Sequence, residues 1–167
     1  VKERIDVMLV QQGFCETREK AKRHLMAGLV FVDGQRIEKA GALVKDTSLI
    51  EVKGVAIPFV SRGGLKLDKA LKSFEIPLDG KVCMDIGAST GGFTDCMLQA
   101  GASKVFAVDV GYGQLDWKLR SDARVINLER TNIRYITAEQ VCESLDFFSV
   151  DVAFISLKLV LPAIIPF

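Results

Sequence analysis

The stretch that decides the fold is VCMDIGASTGGFTD, Val82 to Asp95. Val82–Ile86 is an apolar run of strand length, the glycines at 87, 91 and 92 make a tight turn, and a helical pattern resumes at Thr94. A strand, a glycine turn and a helix in that order suit a nucleotide-like ligand. The turn is not a phosphate-binding P-loop, because Phe93 stands where that loop places lysine. Nor is it a dinucleotide fingerprint, because Ser89 occupies the position of the second glycine. What remains is an aspartate, Asp85, before a glycine turn. A carboxylate there attracts a cationic amino group and repels a pyrophosphate. Glycine at 87 is expected to let a ligand approach the backbone closely.

Working outward, apolar strands alternate with helical patterns. Strands are expected at 82–86, 105–110, 125–128 and 147–155, and helices at 65–74, 94–100, 114–121 and 137–145. That alternation predicts an α/β fold with a parallel sheet and a ligand at its carboxyl ends. Asp109 closes the second strand, 24 residues after Asp85. A carboxylate about 20 residues on is where such folds bind ribose hydroxyls. Two acids so placed fit S-adenosylmethionine, an amino acid at one end and adenosine at the other. They also fit a pair of capping carboxylates on an unrelated α/β fold.

The first 58 residues read differently. A short amphipathic helix over 4–12 is followed by a second from Thr17, a capping residue, to Ala27. Leu29–Val32 leads into Asp33-Gly34, a hairpin turn signal, and further short strands follow. This predicts a small α+β unit at 1–58, a linker at 59–64 containing Arg62-Gly63-Gly64, and the α/β unit at 65–167.

Composition excludes rather than identifies. The 167 residues are 49% apolar and 26% charged, with net charge +1, so no partner follows from overall charge. Residues 1–60 hold ten basic side chains against eight acidic ones. The apolar run at 147–167 is interrupted by Asp151 and Lys158 and predicts no membrane span, and the first residues show no signal-peptide pattern. The four cysteines lack CxxC spacing and His24 stands alone, so no metal site is expected. Reduced thiols in a cytoplasmic protein are the expectation.

Two further residues stand out. Asp151 lies in the apolar run FFSVDVAF, where an unpaired buried carboxylate would cost several kcal/mol, so it needs an exposed strand end or a cationic partner. Lys66, after Gly63-Gly64, sits at the edge of its helix's apolar face. By itself it reads as a solvated charge, the usual role of a lysine.

The ordered set SRGGLKLDKAL, VCMDIGASTGGFTDCMLQAGA, VFAVDVGYGQLDWKLR, VINLERTNIR and DVAFISLKLVLP resembles the TlyA-type haemolysin and ribosomal RNA methyltransferase family. The second part is similar to FtsJ-class enzymes, which methylate ribose 2′-hydroxyls. The first part resembles the α-L RNA-binding domain, on Arg4-Ile5-Asp6, Thr17 to Lys22, Gly28 to Val30 and Val32 to Gly34. The resemblance implies a Rossmann-like S-adenosylmethionine-dependent methyltransferase sheet. Its cofactor residues would be Asp85, Gly87, Ala88, Ser89, Thr90, Gly91, Gly92, Phe93 and Asp109. Lys66 and Asp151 would be the first two members of a Lys-Asp-Lys-Glu catalytic tetrad. Arg4, Arg18, Lys22, Arg23 and Lys39 would grip RNA, ribosomal RNA or ribosomal subunits being the expected partner. The second lysine and the glutamate fall past Phe167, so a longer chain is expected and these 167 residues alone are expected to be inactive. A non-catalytic RNA- or ribosome-binding protein and a membrane-active haemolysin are the alternatives. Nothing in the residues fixes an oligomeric state.

Overall fold

The computed structural model describes residues 2–54, 56–153 and 155–167. The chain divides into two compact units, Val1–Pro58 and Phe59–Phe167. Residues 59–64, expected as a linker, group with the second unit.

In the first unit, β1 (Lys2–Arg4) runs straight into α1 (Ile5–Gln11), and α2 (Arg18–Met26) follows. Thr17 caps α2, its side chain accepting from the Lys20 backbone N–H at 3.2 Å. β2 (Val30–Val32) and β3 (Gln35–Arg36) form the hairpin across Asp33-Gly34. β4 (Leu43–Lys45) pairs antiparallel with β1, and β5 (Ile50–Val52) with β2. Ile5, Met8 and Leu9 of α1 and Ala21 and Leu25 of α2 pack on Val30, Val32 and Ile50 to make the core. The helical spacing of these residues turns one stripe of each helix inward. The helix expected over 4–12 ends at Gln11, and Gln12 beyond it is exposed.

The second unit opens with α3 (Gly63–Ser73) and then alternates: β6 (Val82–Ile86), α4 (Gly92–Gln99), β7 (Lys104–Val108), α5 (Trp117–Arg120), β8 (Val125–Leu128), β9 (Phe147–Val150) and α6 (Leu157–Ile164). The strands pair in parallel in the order β8-β7-β6-β9. Met84, Ile86, Phe106 and Val108 point to one face, where they meet Val160 and Ile164 of α6, with Ile133 and Val141. Alternate residues, among them Asp85, point to the other face, where α4 lies.

Three expectations change. The helix expected at 137–145 reduces to one turn: the Val141 N–H donates to the Thr137 carbonyl at 3.2 Å and Gln140 Oε1 accepts from the Thr137 N–H at 3.1 Å, but no helix continues past them. Val141, which closes that turn, and Leu145, in the irregular segment beyond it, both reach the core. β9 stops at Val150 rather than 155, leaving Asp151 just past its end; Phe154 lies outside the described residues. The apolar residues from 157 form α6, with Pro162 inside it and Ser156 as its cap.

Candidate active site

The chain lays down β6, β7 and β8 outward in one direction, then returns to place β9 on the opposite side of β6. In parallel sheets a crevice opens at the carboxyl ends beside such a reversal. The sequence places the glycine turn there.

Asp85 is 1% exposed. Its Oδ2 accepts from the Thr94 N–H at 2.9 Å and the Thr94 hydroxyl at 2.7 Å, in the first turn of α4. Its Oδ1 is buried and has no hydrogen-bond partner among the described residues. Burial pushes the carboxyl up to about 6; the Thr94 hydrogen bonds oppose this, and the charges of Asp109 and Asp151 add to it. The group is therefore tuned to meet a cation or a proton.

Gly87 has φ +86, and a Cβ there would collide with the Asp151 carbonyl oxygen. The close approach expected of a ligand is made by the protein's own backbone: the Asp151 N–H donates to the Ile86 carbonyl at 3.0 Å. At Gly92 a Cβ would collide with Ser61 Oγ, so this glycine admits residues 59–64 against α4. Val60 completes that contact, donating to Asp95 Oδ2 at 2.9 Å. At Gly91, with φ +97, a Cβ would collide with Leu119 and Leu115.

Asp109 follows β7. Its Oδ2 accepts from the Ser89 N–H at 2.7 Å and its Oδ1 from the Gly111 N–H at 2.8 Å. The carboxylate thus ties the glycine turn to the loop after β7. Beside it lies a cleft of about 460 Å³ lined by Gly87, Ser89, Asp109, Asn132, Ile133 and Asp151, within the size range of small-molecule sites. A smaller hollow of about 110 Å³ adjoins it, lined by Asp85, Ala88, Thr90, Gly92, Phe93 and Ser61. Asn132, Ile133 and Ser61 were not singled out in the sequence. The nearest signal was Asn132, a polar residue soon after the third apolar strand.

Lys66 and Asp151 meet at the edge of this hollow. Lys66 Nζ lies 3.4 Å from Asp151 Oδ1, with side chains 70% and 50% exposed, and 5.9 Å from the centre of the Phe93 ring. So Asp151 has both features its sequence demanded, a strand end and a cationic partner.

The basic residues of the first unit divide. Arg4 and Arg18 converge on buried Asp6, and Lys22 pairs with Glu19 at 3.1 Å. Arg23 is half-buried. Lys39 is exposed and lines an open groove with Arg36, which the sequence reading passed over.

A parallel α/β sheet with a nucleoside-sized cleft behind a glycine turn defines the class: a Rossmann-like ligand-binding domain. More particularly, residues 59–166 match the FtsJ-like methyltransferase family, and the chain belongs to it. Residues 3–50 match the S4 domain. Relatives include YqxC of Bacillus subtilis, whose name proposes an rRNA methyltransferase (53% identical, covering 98% of this chain and 58% of the relative). The 16S/23S rRNA (cytidine-2'-O)-methyltransferase TlyA of Mycobacterium tuberculosis is 46% identical over 97% of this chain and 61% of its own. A solved structure from Streptococcus thermophilus, named as a candidate hemolysin, superimposes with a TM-score of 0.65 at 52% identity, covering 98% of this chain and 60% of that one. The chain therefore spans about three fifths of the length of these relatives. Among the described residues no helix is long and apolar enough to cross a membrane.

Proposed function

We propose that the protein methylates ribose 2′-hydroxyls of ribosomal RNA with S-adenosylmethionine. The observation that carries this is the Lys66–Asp151 pair at the edge of a hollow that Asp85, with its unpartnered oxygen, also lines. The residues present fit the cofactor. Asp85 Oδ1, buried and without a hydrogen-bond partner among the described residues, is an acceptor suited to its ammonium group, on a residue that borders the hollow lined by Ala88, Thr90, Gly92 and Phe93. Asp109, oriented by two backbone N–H groups, keeps carboxylate lone pairs for ribose hydroxyls beside Ser89. When bound, the cofactor supplies an electrophilic methyl group on a sulfonium.

The chain's own residues then orient the nucleophile. Asp151 holds the Lys66 ammonium at one point, and that ammonium donates to a lone pair of the target 2′-oxygen and so orients it; as the oxygen takes the methyl group, its proton leaves to solvent. Holding two reacting groups in line removes much of the entropic barrier to transfer. The S4 unit delivers the RNA, with Arg4, Arg18, Lys22, Arg23 and Lys39 as phosphate contacts, joined by Arg36. Such contacts set register without reading sequence. The name of the mycobacterial relative favours ribosomal RNA as the substrate, and such a substrate belongs with a cytoplasmic protein.

The test uses the intact protein, tritiated cofactor, ribosomal subunits and naked ribosomal RNA. Label is expected in 2′-O-methylnucleosides after digestion. Lys66→Ala and Asp151→Ala should each lower the rate about 10²-fold or more, with cofactor affinity changed less than about threefold. Label on a base, or undiminished transfer by both variants, refutes the proposal.

A further inference from the structure

The first unit buries one carboxylate completely, and two arginines reach it from different elements. Asp6, in the first turn of α1, is 0% exposed. Arg4 at the end of β1 donates from Nε to Oδ1 at 3.0 Å and from Nη2 to Oδ2 at 3.2 Å. Arg18 at the start of α2 donates from Nε at 3.2 Å and Nη2 at 2.7 Å, both to Oδ2. Both guanidinium groups use the same edge. Each has five donors, so each retains its Nη1 pair and one Nη2 hydrogen on the side away from Asp6. The two side chains are 48% and 54% exposed, which puts those remaining donors in water.

Two guanidinium groups do not gather unaided, because like charges repel. The carboxylate between them cancels that repulsion and leaves a cluster of net charge +1. Neutralising one buried carboxylate needs only one bidentate arginine. Here a second arrives from another helix, whose start is fixed by the Thr17 cap. The nearby carboxylates Glu16 and Glu19 are taken by Lys20 and Lys22, so they do not compete for the outward donors.

We infer that Asp6 is a positioning residue: it sets Arg4 and Arg18 as a preordered two-guanidinium fork for one phosphate of the RNA backbone. Planar guanidinium donors match phosphate oxygens in pairs, and a fork ordered before binding loses less side-chain freedom when RNA arrives. Asp6 itself touches no RNA. This inference rests on the reading of the S4 unit as the part that grips RNA.

The test measures binding of the full chain to a short RNA stem-loop by fluorescence anisotropy across a salt series, with folding checked by thermal melting. Asp6→Asn makes the protein more positive, so charge alone predicts tighter binding. Positioning predicts the opposite: about tenfold weaker binding, with a log–log salt slope shallower by about 0.9, the value of one phosphate contact. Arg18→Lys keeps the charge and loses the fork; it should weaken binding about threefold to tenfold. Its half-exposed site makes it decisive should Asp6→Asn fail to fold. A folded Asp6→Asn that binds as tightly as the parent or tighter, or an Arg18→Lys indistinguishable from it, overturns the inference. Arg18→Ala separates the two levels. If it binds like the parent, the RNA-gripping reading itself falls and the inference goes with it; if it weakens binding while Asp6→Asn does not, only the inference falls.

Discussion

Replacing Asp85 by asparagine should change how stability depends on pH. The folded carboxyl titrates at about 6, against about 3.9 in an unfolded chain. Between those values the folded state binds more protons than the unfolded one, so stability falls as pH rises through the window. The whole shift corresponds to about 3 kcal/mol, of which about 2 kcal/mol develops between roughly pH 4.5 and 7.5. Asparagine does not titrate and still offers an oxygen to Thr94. The stability of Asp85→Asn relative to the parent should therefore rise by about 2 kcal/mol across that range. Urea unfolding followed by the single tryptophan, Trp117 in the second unit, reports the relevant region. Subtracting the two profiles removes every other titrating group. In the parent, affinity for S-adenosylmethionine should drop below pH 6, approaching about tenfold per unit, because a protonated Asp85 no longer attracts an ammonium. Parallel stability profiles for the two proteins would refute the reasoning, since they would mean that Asp85 is not held as a buried, destabilised acid.

Two other substitutions probe the same turn. Gly87→Ala forces a side chain into a left-handed backbone and against the Asp151 carbonyl, and should cost about 2–5 kcal/mol in urea unfolding. Thr94→Val removes the 2.7 Å hydroxyl donor to Asp85 while keeping the volume, so the pH midpoint for cofactor binding, read by calorimetry, should move upward.

The sequence displayed the second unit's sheet because its strands are short apolar runs separated by glycines and helical stretches. β6, β7 and β8 lie where those runs lie; in β6 and β7 burial on both faces leaves nearly every strand position apolar, while the edge strand β8 is only partly buried. The segment after Ile136 misled because Val141 and Leu145 have helical spacing. In the fold Leu145 donates to the Phe167 carbonyl and Lys104 pairs with Glu143, distant partners that hold this segment in a bent, non-helical path. α6 was hidden by Pro162, which reads as a terminator but is tolerated within the helix. β1 is three residues, two of them basic, and acquires its identity only from β4. At the site, Asp85 and Asp109 were visible because strand ends are predictable from pattern. That Gly87 also accommodates the Asp151 carbonyl was not, because the approach of the chain past β9 to the turn is a tertiary fact. For the same reason, the family-like Arg4-Ile5-Asp6 motif did not reveal that Arg4 and Arg18 share one buried carboxylate.

Asp109 has a mechanical consequence. One of its oxygens anchors the turn that begins at Gly87, and the other anchors the loop entered at Gly111. Neither segment can shift without pulling on its neighbour, so the two rims of the cleft behave as one jaw.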